Sequence, residues 1–221
     1  MFQLDRRSFV RALTFTGLVS SAEASSLVAS AKADSKSVGA PLQGDAQPAK
    51  DVTRSLARYV VSARTEDLPE NVRKEATRTM LNWVGCAVGG SGHETVDNAM
   101  GALAPFSGPA QASVLGRSER MDVLHAALMN GISSHVFDFD DTHLKTVIHP
   151  AGPVASAILA LAEYQPVSGR DFLNALVLGI EAECRIGNAV YPTHYDMGWH
   201  ITGTAGVFGA AAATGRLLGL T

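Results

Sequence analysis

The chain has 221 residues, of which 46% are hydrophobic and 18% charged, so a sizeable core is expected and overall disorder is not. Its formal net charge is -3 and no basic block follows residue 11, which argues against nucleic acid or an anionic membrane surface as the main partner. Cys86 and Cys184 lie in apolar runs without CxxC spacing. We therefore expect buried free thiols rather than a disulfide or a metal site.

Residues 1–33 have the pattern of a twin-arginine export signal. Arg6-Arg7 are followed by a modest apolar stretch, Ala12 to Val19, and by the A-x-A sequence Ala31-Lys32-Ala33. The apolar stretch is too short to span a bilayer as a stable helix. We therefore expect a periplasmic protein. If residues 1–33 are instead a basic leader without an export function, the protein is cytoplasmic. Residues 34–50 are rich in small and polar residues and predict a flexible linker.

The remaining residues, 51–221, predict an all-α domain. Apolar side chains recur there at steps of three and four residues, and no strand alternation persists. Only residues 111–115 are expected to be extended at most. Pro69 next to Glu70 predicts a helix start, and Ser168 with Asp171 fits a capping box. The other predicted helices begin near Asp51, His93, Asp122, Pro153 and Gly203.

Two of these helices carry further predictions. Asp122 is expected to cap a helix whose inner face holds Leu124, Leu128, Ile132 and Val136. In the last helix, the glycines from Gly203 to Gly209 do not form a dinucleotide fingerprint, because no strand precedes them and their spacing differs from it. These small residues are expected to permit a close helix–helix contact instead.

The segment HVFDFDDTHLKTVIHPAG, residues 135–152, holds three carboxylates and three histidines. Asp138, Asp141 and Thr142 would share one helical face if the preceding helix continued, whereas Pro150 favours an extended or turning backbone at His149. Three interpretations are open: a metal site with Asp and His ligands, a structural role in capping and core hydrogen bonds, and acid/base chemistry by a histidine beside carboxylates.

A second polar segment, YDMGWHITGT from Tyr195 to Thr204, puts His200 just before a predicted helix N-terminus. Backbone N–H groups and the helix dipole at such an end favour a bound anion. An incidental histidine in an N-cap region is the alternative.

These segments together resemble the MmgE/PrpD family, which includes 2-methylcitrate dehydratase and cis-aconitate decarboxylase. The resemblance is carried by Asn130-Gly131, His135, DFDDTHLKTVIHPAG from Asp138, GIEAECRIG from Gly179 and GWHITGTAGVFGAAAATGRLLGL from Gly198. It implies a large all-helical domain with a smaller α/β lid domain, usually in a homodimer. It also implies work on small polycarboxylates without a metal or an organic cofactor.

The resemblance also implies roles for individual residues. Asp138, Thr142 and His149 match the family's first catalytic segment, and His200 matches its second. His149 and His200 would handle protons and bind carboxylates, while Asp138 would orient the first of them. Thr142, Asp141 and His143 would contact the substrate.

The function expected from the resemblance is that of a lyase, a hydro-lyase that dehydrates a small polycarboxylate such as 2-methylcitrate in propionate metabolism. A base would remove the proton alpha to a carboxylate, and an acid would protonate the leaving hydroxyl. A cis-aconitate-type decarboxylase is the alternative. Because family enzymes continue beyond a segment of this length, a truncated domain without the α/β lid is expected. A non-catalytic helical remnant is therefore a third possibility.

Overall fold

The computed structural model describes residues 51–221. The predicted export signal, residues 1–33, and the predicted linker, residues 34–50, lie outside these described residues. The described part forms eight α-helices and one two-stranded sheet, which confirms the predicted all-α class. The helices are α1 (Val52–Ser62), α2 (Glu70–Gly90), α3 (Glu94–Leu103), α4 (Val123–His135), α5 (Ala151–Tyr164), α6 (Gly169–Val190), α7 (Thr193–Asp196) and α8 (Ile201–Leu217). Short 3-10 helices cover Thr65–Asp67 and Ala104–Phe106.

Helix starts follow the capping signals of the sequence. Ser168 accepts a hydrogen bond from the Asp171 backbone N–H at 3.1 Å, as the predicted capping box requires. Asp122 caps α4 by accepting the N–H groups of Leu124 and His125 at 3.0 and 3.2 Å. The predicted start of α2 after Pro69 is also confirmed.

The sheet is a short antiparallel pair, β1 (Ala112–Ser113) and β2 (Arg120–Met121). β1 lies within the stretch that was expected to be extended, whereas β2 was not predicted, because two residues are too short to show alternation. The fully buried Asn130 side chain on α4 holds this hairpin. Its amide donates to Ser113 O at 2.9 Å and its oxygen accepts the Leu115 N–H at 2.8 Å.

The prediction of which residues form the buried face of α4 is partly wrong. Leu124 is 79% exposed, and the buried face of the helix carries Ala126, Met129, Asn130 and Ser133 instead. This small and polar face packs against α2 and α5, where Asn130 and Ser133 satisfy their hydrogen bonds. Leu128, Ile132 and Val136 line a cavity, so apolar residues of this helix face a site and not the core.

Helix α5 lies at the centre of the domain, in contact with α4, α6 and α8. Its Val154, Ala155 and Ile158 are fully buried and share a core with Trp83 of α2 and Leu176 of α6. α5 begins at Ala151, two residues before the predicted start at Pro153, because proline fits within the first turn of a helix.

The glycines of α8 bring that helix close to α6, as predicted. A Cβ atom on Gly209 would lie 2.8 Å from the carbonyl oxygen of Gly179, which leaves no room for a side chain. The free thiols predicted at Cys86 and Cys184 are also confirmed, since both are buried and unpaired. Within residues 51–221, no helix has the length and apolar character needed to cross a membrane.

Candidate active site

The loop between α4 and α5, residues 136–150, carries most of the titratable groups of the candidate site. α4 ends at His135, and Asp138 has a left-handed backbone with φ of 56°. The helix therefore does not continue through Asp138, Asp141 and Thr142, and these three residues lie in a loop rather than on one helical face. Val147 is also left-handed, with φ of 52°. Such conformations are costly for residues other than glycine and often occur at functional sites.

A buried carboxylate lies at the centre of this loop. The Asp140 side chain has no exposed surface, and its oxygens lie 3.0 and 3.2 Å from Nδ1 of His135. One of them also lies 3.2 Å from Nδ1 of His149. One carboxylate thus contacts two imidazole rings, whose centroids are 4.7 Å apart.

Both ring nitrogens of His149 lie near carboxylate oxygens. Nδ1 faces Asp140 and lies 3.4 Å from the Thr142 hydroxyl, which itself donates to the Asp140 carbonyl at 3.2 Å. Because the Thr142 hydroxyl hydrogen is used there, its oxygen can accept a hydrogen bond from Nδ1–H of His149. On the other edge of the ring, Nε2 lies 3.5 Å from Asp138 Oδ1. Asp138, Thr142 and His149 therefore come together as three of the predicted site residues.

His200, from the second segment, reaches the same site. It is the N-cap residue of α8, and its Nδ1 accepts the Gly203 backbone N–H at 3.3 Å. Its ring centroid lies 5.7 Å from that of His135. The two segments are joined directly, because the His149 backbone N–H donates to the Thr202 hydroxyl at 3.1 Å. His200 thus caps α8, and its ring also lines the cavity beside His135 and His149.

The three histidines His135, His149 and His200 line one cavity of about 590 Å³. Its remaining walls come mainly from apolar and small residues of α4, α5 and α8, and no lysine or arginine lines it within residues 51–221. Asp140 also lines it, whereas Asp138 and Thr142 contact His149 from outside the lining. A mostly apolar pocket with a few convergent polar groups is typical of a small-molecule site.

Asp141 and His143, two of the predicted substrate-contacting residues, do not line this cavity. Both Asp141 oxygens accept the Ala151 backbone N–H, at 3.2 and 3.3 Å, at the start of α5. Burial, together with the charge of the neighbouring Asp140, raises the pKa of Asp141 to about 6 against the lowering effect of the Ala151 hydrogen bond. Nδ1 of His143 lies 2.7 Å from the Thr146 hydroxyl, in a local turn of the loop.

His135 and Asp140 also belong to the site, although the sequence motifs implied no role for either residue. The hydrogen bond from the His135 ring to Asp140, with the nearby charges of Asp140 and Asp138, raises the pKa of His135 against the opposing effect of its partial burial. His135 precedes Asp140 by five residues, and their contact depends on the turn after α4. The sequence signal that could have identified them as site residues was the occurrence of both in the family motif.

The donor types of this cluster also suit a metal ion. One ligand atom from each of His135, Asp138, Asp140 and His149 lies within 4.8 Å of the others. Imidazole and carboxylate ligands are those of zinc, manganese and iron sites. If a metal binds this part of the chain, these four residues are the ones that would hold it.

Fold and site together define a helical domain with a histidine- and carboxylate-lined cavity at the junction of α4, α5 and α8. The model of the MmgE/PrpD N-terminal domain matches residues 54–221. The chain belongs to the MmgE/PrpD family, as the sequence motifs indicated.

Curated relatives agree with this assignment. The chain is 33% identical over 185 residues to a cis-aconitate decarboxylase-like protein, oryM, of Aspergillus oryzae, a match that covers 80% of this chain and 38% of the relative. It is 29% identical to the cis-aconitate decarboxylase of Aspergillus terreus, over 80% of this chain and 37% of that enzyme. For the cis-aconitate decarboxylase of Homo sapiens the identity is 31%, over 78% and 37%. The chain thus spans less than two fifths of the length of these relatives.

Proposed function

We propose that this domain contributes the proton-transfer groups of a lyase that acts on small polycarboxylates. The proposal rests on one observation: His149, which lies beside two carboxylates, and His200, at a helix N-terminus, line the same cavity. The names of the curated relatives support the same class of reaction. The activity of the whole protein is part of the proposal, since the chain covers only part of those relatives.

His149 is the proposed proton carrier. Asp140 and the Thr142 oxygen both accept at Nδ1, so they favour the tautomer with a proton there, and Nε2 is the nitrogen that can take a further proton. When Nε2 takes a proton, Asp138 at 3.5 Å stabilises the resulting imidazolium. Asp138 is therefore a positioning residue for this step.

His200 is the proposed carboxylate-binding and acidic partner. Its Nδ1 accepts a backbone hydrogen bond from Gly203, so a neutral ring carries its proton on Nε2 and can donate it. The N-terminus of α8 adds unsatisfied N–H groups and a positive dipole end at the same place. Negative charge that develops on a substrate carboxylate during reaction would be stabilised here.

The relatives' names favour decarboxylation as the first reaction to test, with cis-aconitate as substrate. In that reaction the carbon–carbon bond to one carboxylate breaks and releases carbon dioxide, and its electron pair stays on the organic fragment. A proton from His149 or His200 then completes the product. Dehydration of a hydroxy acid such as 2-methylcitrate is the second candidate. The same groups would remove the proton alpha to a carboxylate and protonate the leaving hydroxyl.

The test is a polycarboxylate panel followed by proton NMR, with the wild-type chain and the variants His149→Ala and His200→Ala. We expect each substitution to lower kcat by about 100-fold or more while the helical circular dichroism stays unchanged. His125→Gln is the control, because His125 lies on α4 outside the cavity and is paired with Asp122 at 2.6 Å. Wild-type turnover in both active-site variants would contradict the proposal.

We also propose export through the twin-arginine pathway, on the evidence of Arg6-Arg7 and the residues that follow. Fractionation of cells that express the wild-type chain or an Arg6→Lys, Arg7→Lys variant tests this. A periplasmic wild type and a retained variant are expected, and equal distributions would argue against export.

The homodimer implied by the family resemblance is a further proposal. Exposed apolar side chains beside the site, such as Phe137, Phe139 and Trp199, provide a surface that association would cover. Light scattering on the purified chain should give twice the monomer mass, and a monomer at all concentrations would count against a dimer formed by this chain.

A further inference from the structure

His135 has the contacts of a substrate-binding group. It is the last residue of α4, its side chain is 34% exposed, and it lines the same cavity as His149 and His200. Because the Asp140 carboxylate only accepts hydrogen bonds, Nδ1 of His135 must carry the proton between them. The second nitrogen, Nε2, is then the ring's remaining polar group, and in the protonated ring it is a donor.

Several features favour the charged form of His135. The Asp140 hydrogen bond and the charge of Asp138 raise its pKa, while burial acts in the opposite direction. The carbonyl end of α4 also favours a cation at this position. The groups that face the ring from the other elements are His149 and His200, which would oppose a second positive charge if they were protonated.

A polycarboxylate bound in this cavity would require a positively charged partner. A polycarboxylate brings two or three negative charges, and no lysine or arginine among the described residues lines the cavity. An unpaired carboxylate in a mostly apolar pocket would lose much of its hydration without compensation. The imidazole rings are therefore the cationic groups that this part of the chain can offer.

We propose that His135 binds one carboxylate of the substrate through Nε2–H, and that Asp140 is the positioning residue that holds its ring. This inference rests on the proposed function, because it takes a polycarboxylate as the ligand. The rings of His149 and His200 lie 4.7 and 5.7 Å from that of His135, so carboxylates of one small molecule can reach more than one of them. Since Asp140 contacts both His135 and His149, substrate binding and proton transfer share one buried carboxylate.

The experiment measures binding without turnover. The dissociation constant of tricarballylate, a saturated tricarboxylate without a leaving hydroxyl, is determined by calorimetry at about pH 6 and about pH 8 for the wild-type chain, His135→Gln and His125→Gln. His125 is the matched control, a histidine of the same helix whose Nδ1 also pairs with an aspartate but which lies outside the cavity. Asp140→Asn is a second variant that keeps the shape of the side chain and removes its charge.

We expect His135→Gln to weaken binding about tenfold, because it removes the Nε2–H donor that would bind the substrate carboxylate. Asp140→Asn should weaken binding and shift the pH dependence of binding to lower pH, which loss of a purely structural contact would not do. Binding in His125→Gln should stay within about twofold of the wild type. Wild-type affinity in His135→Gln at both pH values, or no binding of tricarballylate by the wild-type chain, would overturn the inference.

Turnover assays on the same proteins separate this inference from the proposed function. Binding that depends on His135, together with wild-type turnover in His149→Ala and His200→Ala, would support the inference and reject the proposed lyase roles. Turnover with unchanged KM and kcat in His135→Gln would support the lyase and reject the inference.

Discussion

At the scale of single residues, the site is a set of imidazoles whose tautomers are fixed by their neighbours. His149 meets acceptors at Nδ1, whereas His200 meets a backbone donor at the same atom. Two histidines of the same chemical type are thereby prepared for different roles, one with an available lone pair and one with an available proton. This distinction depends on the groups that each ring contacts and is independent of the sequence spacing between them.

The first prediction at this scale concerns Asp138. Asp138→Asn removes the negative charge 3.5 Å from Nε2 of His149 and keeps the size of the side chain. Because the charge stabilises the imidazolium only after proton transfer, we expect kcat to fall about 10- to 100-fold with a small change in KM. Steady-state kinetics on the preferred polycarboxylate measures both constants.

Asp196→Asn serves as the control for the loss of a carboxylate, since Asp196 is an exposed residue of α7 that does not line the cavity. Its kinetics should match those of the wild type. An Asp138→Asn variant with raised KM and normal kcat would instead assign Asp138 to substrate binding.

At the scale of elements, α4 connects the core to the site, and Asp122 fixes its start. Asp122 accepts hydrogen bonds from the Leu124, His125 and Gly108 backbone N–H groups and from the Ser107 hydroxyl. Burial alone would raise its pKa, but these bonds and the His125 ring hold that pKa well below its usual range. The stability that Asp122 contributes is therefore present above the unfolded-state pKa, about 3.9, and is lost as the pH falls towards the folded-state pKa.

Asp122→Ala should therefore lower the free energy of unfolding at neutral pH by about 2 to 3 kcal/mol, because it removes a helix cap and leaves neighbouring donors unsatisfied. Ser168→Ala, which removes one backbone hydrogen bond at the start of α6, should cost about 1 kcal/mol. Urea unfolding followed by circular dichroism measures both. A Ser168→Ala loss equal to or larger than that of Asp122→Ala would refute this ranking of the two caps.

At the scale of the whole molecule, the close contact of α6 with α8 encloses an ionisable group. Glu183 is fully buried, and neither of its carboxyl oxygens has a hydrogen-bond partner among the described residues. Burial, and secondarily the charge of Asp141, raises its pKa to about 9. A carboxyl group whose pKa is higher in the folded state binds a proton that the unfolded chain releases, so stability falls as the pH rises between the two values.

Glu183→Gln should consequently stabilise the domain at neutral pH by an amount on the order of 3 kcal/mol, and the gain should vanish near pH 4, where both states hold the proton. Glu181→Gln is the control from the same helix, because Glu181 is partly exposed and accepts a hydrogen bond from Arg185 at 2.7 Å. Thermal unfolding across this pH range measures the difference. A pH-independent effect of Glu183→Gln would mean that the buried carboxyl is not the cause.

The sequence by itself determined the helical class, the cap residues and the family, because these depend on short-range periodicity, on hydrogen bonds within one turn and on local motifs. It also identified His149, His200, Asp138 and Thr142 as candidates. The two segments that carry them are about fifty residues apart, and the bond from the His149 backbone to Thr202 joins them only in the folded chain.

Only the tertiary structure decided which face of α4 is buried, that α4 ends at His135, and that Asp140 lies between two imidazoles. It also separated Asp141 and His143 from the cavity that the other candidates surround. The physical reason is the same in each case. Burial and side-chain direction depend on contacts between α4, α5 and α8 and on a left-handed turn at Asp138, and no local pattern of residues specifies these.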